Sequence, residues 1–134
     1  MLNSSQSRYR YRTAISTDCE TRPVPYTLRF VQKFRPQDRV EFMKWESMFA
    51  AMEQRRDDLP KGRRSQPVTG QLPTNCLIWE CDFPTLADVQ QAILALSTDG
   101  EHELLYRNQV AYMTEAYTEI NQILDFGTAA GVEL

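Results

Sequence analysis

One histidine, two tryptophans and a glutamate set in an apolar run are the side chains of this 134-residue sequence best suited to chemistry. Glu80 lies within Cys76-Leu77-Ile78-Trp79-Glu80-Cys81-Asp82-Phe83, a run rich in β-formers that reads as a central strand. A carboxylate there must be hydrogen-bonded or paired, because a bare buried charge is too costly. Two roles meet that demand: a general base or polar anchor facing a cleft, or one half of a cross-strand pair with Arg29. His102, the only imidazole, has the chemistry of a proton shuttle or an axial haem ligand. Its setting, between Glu101 and Glu103 just after Gly100, is that of a solvent-facing residue at a helix start. Trp45 and Trp79 offer flat walls to an aromatic or quinone-like ligand, and both rings would serve equally as core filler. Tyr106, Tyr112 and Tyr117 could add hydroxyls, and Arg29 a charged contact, at the same site.

Other chemistries find no support. No Cys-x-x-Cys spacing occurs and His102 has no neighbouring ligand, so no metal site is expected, and no cofactor is assigned. No serine sits in a nucleophile elbow, and the five glycines are scattered instead of forming a phosphate loop. Three cysteines do not make a disulfide framework, and Cys76 and Cys81 point to opposite faces of one strand. Reduced thiols in a cytoplasmic protein are the expectation. No apolar run is long enough to span a membrane, and the N-terminus lacks the apolar core of a secretory signal.

The net charge of −3 conceals a division. Residues 1–64 hold 14 of the 15 Lys and Arg against 8 acids, whereas residues 65–134 hold Arg107 alone against 10 acids. The pairs Arg39/Glu41, Lys44/Glu46 and Glu53/Arg55 read as a solvated helix face. Complementarity between halves or subunits explains the split better than nucleic-acid binding, which lacks a basic-aromatic motif.

The elements that would position these groups follow from pattern. Residues 1–23 form an arm, with Tyr9, Tyr11, Thr13 and Ile15 alternating like a strand. Tyr26–Phe34 alternates as a strand, with Tyr26, Leu28 and Phe30 on one face. Pro36 and a capping box at Asp38 and Glu41 open a helix whose stripe is Phe42, Trp45, Phe49 and Met52. Residues 64–68 read as a short edge strand, since Pro67 has no N–H to donate. After the strand Cys76–Phe83, Thr85 caps a helix with Leu86, Val89, Ile93 and Leu96 inward. Asp99-Gly100 breaks it before a second segment, residues 101–111, that buries Leu104, Leu105 and Tyr106. Residues 115–126 form the last strand, and 127–134 a tail. The order β-α-β-β-α-β is α+β and ferredoxin-like: a four-stranded antiparallel sheet with helices on one face. The other face would leave a large apolar patch wet, which predicts a homodimer with two sheets face to face.

The strand Leu77-Ile78-Trp79-Glu80-Cys81-Asp82-Phe83, the helix start Leu86-Ala87-Asp88 and the break Asp99-Gly100-Glu101-His102-Glu103 resemble NIPSNAP-type proteins of the dimeric α/β-barrel superfamily. The resemblance covers residues 26–126. It implies a homodimer whose two sheets form a barrel, with a cleft between sheet and helices. Barrels of this kind include cofactor-independent monooxygenases, haem-degrading enzymes and stress-response proteins, so the resemblance fixes no single chemistry. The expectation is a module in residues 24–126 that binds a small, partly apolar molecule without catalysis. The alternative is a cofactor-independent monooxygenase or isomerase acting on an aromatic or quinone-like substrate.

Overall fold

The computed structural model describes residues 25–126. The expected arm, with its alternating segment, and the expected tail lie outside them. Strand β1 (Tyr26–Phe34) is followed by a 3-10 turn at Pro36–Asp38 and helix α1 (Arg39–Arg55). Strands β2 (Arg63–Ser65) and β3 (Cys76–Phe83) come next, then helices α2 (Leu86–Thr98) and α3 (Gly100–Gln109). A 3-10 turn at Val110–Tyr112 leads into strand β4 (Met113–Gln122). The sheet order is β2-β3-β1-β4, all pairs antiparallel, with β1 and β3 central. This is the ferredoxin-like α+β arrangement, with the second helix broken in two.

Alternation along β1 and β3 divides the sheet into two faces. Leu28, Trp79, Cys81 and Phe83 pack under Val89 and Ala92 of α2. Phe34 and Leu77 meet Phe42 of α1, with the Phe34 and Phe42 rings stacked 4.5 Å apart. Phe49 and Met52 of α1 close on Leu96 of α2, with Phe30 packed against them. The helix junctions have local causes. The Thr85 hydroxyl accepts the Asp88 N–H, and the Asp99 carboxylate accepts the His102 N–H.

Several expectations fail for identifiable reasons. Asp38 makes no side-chain cap, because its carboxylate is held by Arg35 Nε at 2.9 Å. On α1 the inward stripe is Phe42, Glu46, Phe49, Met52 and Glu53, and Trp45 lies off it. Glu46 and Glu53 are therefore not part of a solvated face; Arg64 of β2 reaches across to pair with both. Ala92 takes an inner position on α2 while Leu86 is exposed. On α3, Leu104 and Tyr106 are exposed, and the fully buried residue is Gln109. Strand β2 stops at Ser65, before Pro67.

The uncovered sheet face also departs from expectation. Its apolar centre is small and closed: Val31, Cys76 and Ile78 are buried, with Leu72 and Tyr117 packed against them. Around that centre runs a ladder of ions. Arg29 sits 3.4 Å from Glu80 and 3.3 Å from Glu119, Arg63 lies 3.2 Å from Glu80, and Lys33 lies 2.9 Å from Glu115. The cause is strand register, which sets Arg29 opposite both Glu80 and Glu119, Lys33 opposite Glu115, and Arg63 opposite Glu80. Among the described residues no large apolar patch is left wet there. Exposed apolar side chains gather instead at the end of β4 and just beyond: Ile120, Ile123, Leu124 and Phe126.

Candidate functional site

Between the helices and the inner sheet face lies a cavity of about 310 Å3. Its apolar wall comes from four elements: Phe30 of β1, Trp79 of β3, Phe49 of α1 and Leu96 of α2. The Phe30 and Trp79 rings stack with centroids 5.0 Å apart, giving a flat aromatic floor. Register puts Phe30 opposite Trp79 across the central strand pair, so the stack is a direct product of pairing.

The polar side of the cavity is a buried cluster that ties β2 to α1. Arg64 Nε donates to Glu46 Oε2 at 2.6 Å, and its two terminal nitrogens donate to Glu53 at 3.2 and 2.7 Å. Trp79 Nε1 donates to Glu53 Oε2 at 3.1 Å, and the Gly62 N–H donates to Glu53 Oε1 at 3.2 Å. Two buried carboxylates and a guanidinium hold together here because each charge has several partners. Burial works against the Arg64 charge, yet bonds to the two glutamates hold its pKa above the ordinary value.

Gln109, at the end of α3, is 0% exposed and lines the cavity. Its Nε2 donates to the Phe42 carbonyl at 3.3 Å and to Glu46 Oε1 at 2.8 Å. Both partners are acceptors, so the amide orientation is forced, and Oε1 is the end left over. That oxygen is buried and has no partner among the described residues. A buried acceptor left unmet costs free energy until something donates to it.

His102 of α3 also lines the cavity, half-buried, with its ring 5.0 Å from that of Phe49. It is not the solvent-facing residue its sequence neighbours suggest. The Asp99 cap starts α3 so that residue 102 turns inward while Glu103 stays exposed. Burial pushes the imidazole pKa below 6.5, opposed by the charges of Asp99, Glu103 and Glu46, so the ring is neutral near pH 7.

The cavity brings together Trp79, His102 and Tyr106 from the sequence-derived set. Tyr117 borders it too, although its ring packs with the Val31 cluster on the far face. Four others lie elsewhere. Trp45 sits outside the cavity with Lys44 Nζ 5.3 Å from its ring centroid. Tyr112 packs against Phe34 and Phe42 at the end of the core. Arg29 and Glu80 are on the opposite sheet face, bound to each other. A second hollow of about 520 Å3 lies there, between Arg29, Glu119 and the loop after β2, but its charged side chains already pair. Among the described residues no group of three or more His, Cys, Asp or Glu could hold a metal ion, and no helix is long and apolar enough to cross a membrane.

Sequence reasoning missed Glu46, Glu53, Arg64 and Gln109. One signal was present: Glu46 and Glu53 are seven residues apart, interleaved with Phe42 and Phe49, and so share a helix face with them. Gln109 carries no such signal, since a single amide near a helix end is unremarkable in sequence.

The architecture and its chamber define an α+β ferredoxin-like protein with a pocket between sheet and helices. No protein-family model matches the sequence, nor does any curated protein. Solved structures do match in fold. A NIPSNAP-like domain protein from Burkholderia xenovorans superposes with a TM-score of 0.62 at 17% identity, over 78% of this chain and 89% of that one. A dimeric protein of ferredoxin-like fold from Bacteroides fragilis gives 0.55 at 12% identity, over 74% and 96%. A cofactor-independent oxygenase from Streptomyces nogalater gives 0.52 at 10% identity, over 75% and 94%. The likeness to NIPSNAP-type structures expected from the sequence is thus found in the fold.

Proposed function

We propose that this chain is a small-molecule-binding module, residues 24–126, whose ligand lies between Trp79 and the helices α1 and α3. One observation carries the reading: a chamber of about 310 Å3 with an aromatic floor is bordered by a polar corner where Glu46 and Gln109 keep acceptor capacity that no described residue meets. Trp79, Phe30 and Phe49 would hold the apolar part of the ligand, and Glu46, His102 and Tyr106 its polar part. Native mass spectrometry of freshly purified protein should show a retained small molecule that denaturation releases. A chain that carries nothing, and takes up none of a panel of single-ring probes, contradicts the reading.

The module works as a homodimer on this reading. Support comes from the dimeric Bacteroides protein of the same fold and from apolar Ile120, Ile123, Leu124 and Phe126 at the end of β4, an edge strand among the described residues. A barrel of two sheets would have to bury the ion ladder of Arg29, Glu80 and Glu119, so we place the first contact at the end of β4. Light scattering should return twice the chain mass of 15.6 kDa, and a value of one chain mass at micromolar concentration opposes it. The buried free thiol of Cys76 supports a cytoplasmic setting.

One observation favours a catalytic reading beside this one. His102 is a neutral imidazole in the chamber wall whose ring nitrogens have no protein partner among the described residues, the state a general base needs. The fold likeness to a cofactor-independent oxygenase supports it. Glu80 drops out of this role because it is committed to Arg29 and Arg63 on the other face. Oxygen uptake with a hydroquinone probe, lost in His102→Ala, would carry the catalytic reading; uptake at the protein-free rate would end it.

A further inference from the structure

The hydrogen-bonding balance of the chamber corner formed by Glu46, Glu53 and Gln109 is one-sided, and it points to the head group of the molecule that fills it; this step rests on the reading of the chamber as a ligand site. Glu53 accepts four hydrogen bonds, two from Arg64 and one each from Trp79 and Gly62, which fills a carboxylate. Glu46 accepts two, from Arg64 and Gln109, and keeps about half of its acceptor positions. Gln109 Oε1, in the residue bonded to Glu46, accepts none. The unmet capacity of this corner is all acceptor.

Charge leans the same way. One guanidinium faces two carboxylates, which leaves an excess of one negative charge beside an aromatic floor. His102 does not offset it. The ring is neutral near pH 7, and the charges acting on it are those of Asp99, Glu103 and Glu46, all carboxylates.

We propose that the chamber takes a protonated amine carried on an apolar body, with the ammonium donating to Glu46 and the body lying against Phe30, Phe49 and Trp79. An ammonium brings three donors and a charge, which matches a corner holding spare acceptors and excess negative charge. The stacked rings of Phe30 and Trp79 add the attraction of a cation for an aromatic face. An alcohol of the same shape brings one donor and no charge. A carboxylate brings only more acceptors.

Three probes with a common ring and tether separate these cases: 2-phenylethylammonium, 2-phenylethanol and 3-phenylpropanoate. Each is titrated at neutral pH while the Trp79 Nε1–H resonance is followed by NMR. The amine should bind at least about tenfold more tightly than the alcohol, and the acid most weakly. Glu46→Gln keeps an oxygen for Arg64 and removes the excess charge; it should shrink the advantage of the amine to about threefold or less. An alcohol within about threefold of the amine in the unaltered protein, or an acid that binds best, overturns the inference while the chamber still counts as a ligand site. Silence of Trp79 to all three probes overturns both. The comparison of probes in the unaltered protein stands even where the variant fails to fold.

Discussion

Trp79 lies flat along the chamber floor because residue 62 has no side chain. A Cβ placed on Gly62 would stand 2.1 Å from Trp79 Cε2, far inside contact distance, so the ring would have to shift and leave its place beside Glu53. Gly62→Ala should therefore destabilise the fold by about 1–3 kcal/mol in urea denaturation and weaken the Trp79–Glu53 bond with it. His102 gives a second residue-level test, through pH. Burial holds its folded-state pKa below the ordinary 6.5, so the unfolded chain takes the proton more readily. Stability should fall as pH drops through about 6.5 and stay level above it. His102→Gln should flatten melting temperatures between about pH 5.5 and 7.5. The Asp58 and Asp99 carboxyls, both held below 3.8 by Arg56, contribute stability that is lost only further down, in a separate window.

At the scale of elements, two polar joints fix the chamber. The first is Arg64, through which a strand of only three residues is tied to α1. Arg64→Met keeps the length of the side chain but strands two buried carboxylates, and should cost about 3–5 kcal/mol in chemical denaturation. The second is Asp99, which caps α3 and grips Arg56 at 2.9 and 2.7 Å while Arg56 also holds Asp58. Asp99→Ala should cost about 2 kcal/mol or more, and Asp99→Asn, which keeps the cap, about half of that. How far these joints were legible differs between them. The Asp99-Gly100 break, the Thr85 cap and the strands Tyr26–Phe34 and Cys76–Phe83 could be read because local turn chemistry and alternation decide them. The Arg64 joint could not. Alternating acids and bases along α1 look solvated in one dimension; spacing sets Glu46 and Glu53 on the face of Phe42 and Phe49, but only the return of β2 supplies the Arg64 partner that lets two carboxylates face inward. The same limit applies to His102 and Gln109, whose burial depends on the angle at which the broken second helix crosses the sheet.

For the whole molecule, the architecture was legible and its surface was not. Sheet order followed from right-handed crossovers and the short β2, but the outer face was expected to be apolar. Its polarity comes from register, which pairs residues about fifty and ninety positions apart and which no local pattern displays. The outer face is largely paired, with Arg29 Nε buried 3.3 Å from Glu119 but without a hydrogen bond, and the chamber on the helix side is where an aromatic wall meets unmet acceptors. The two tryptophans make that claim measurable, since Trp79 forms the chamber floor and Trp45 lies outside it. In a proton–nitrogen NMR titration with a panel of single-ring probes, the Trp79 indole N–H should shift saturably while that of Trp45 stays fixed. Movement of Trp45 alone, or of neither, would contradict a ligand site between the helices and the sheet.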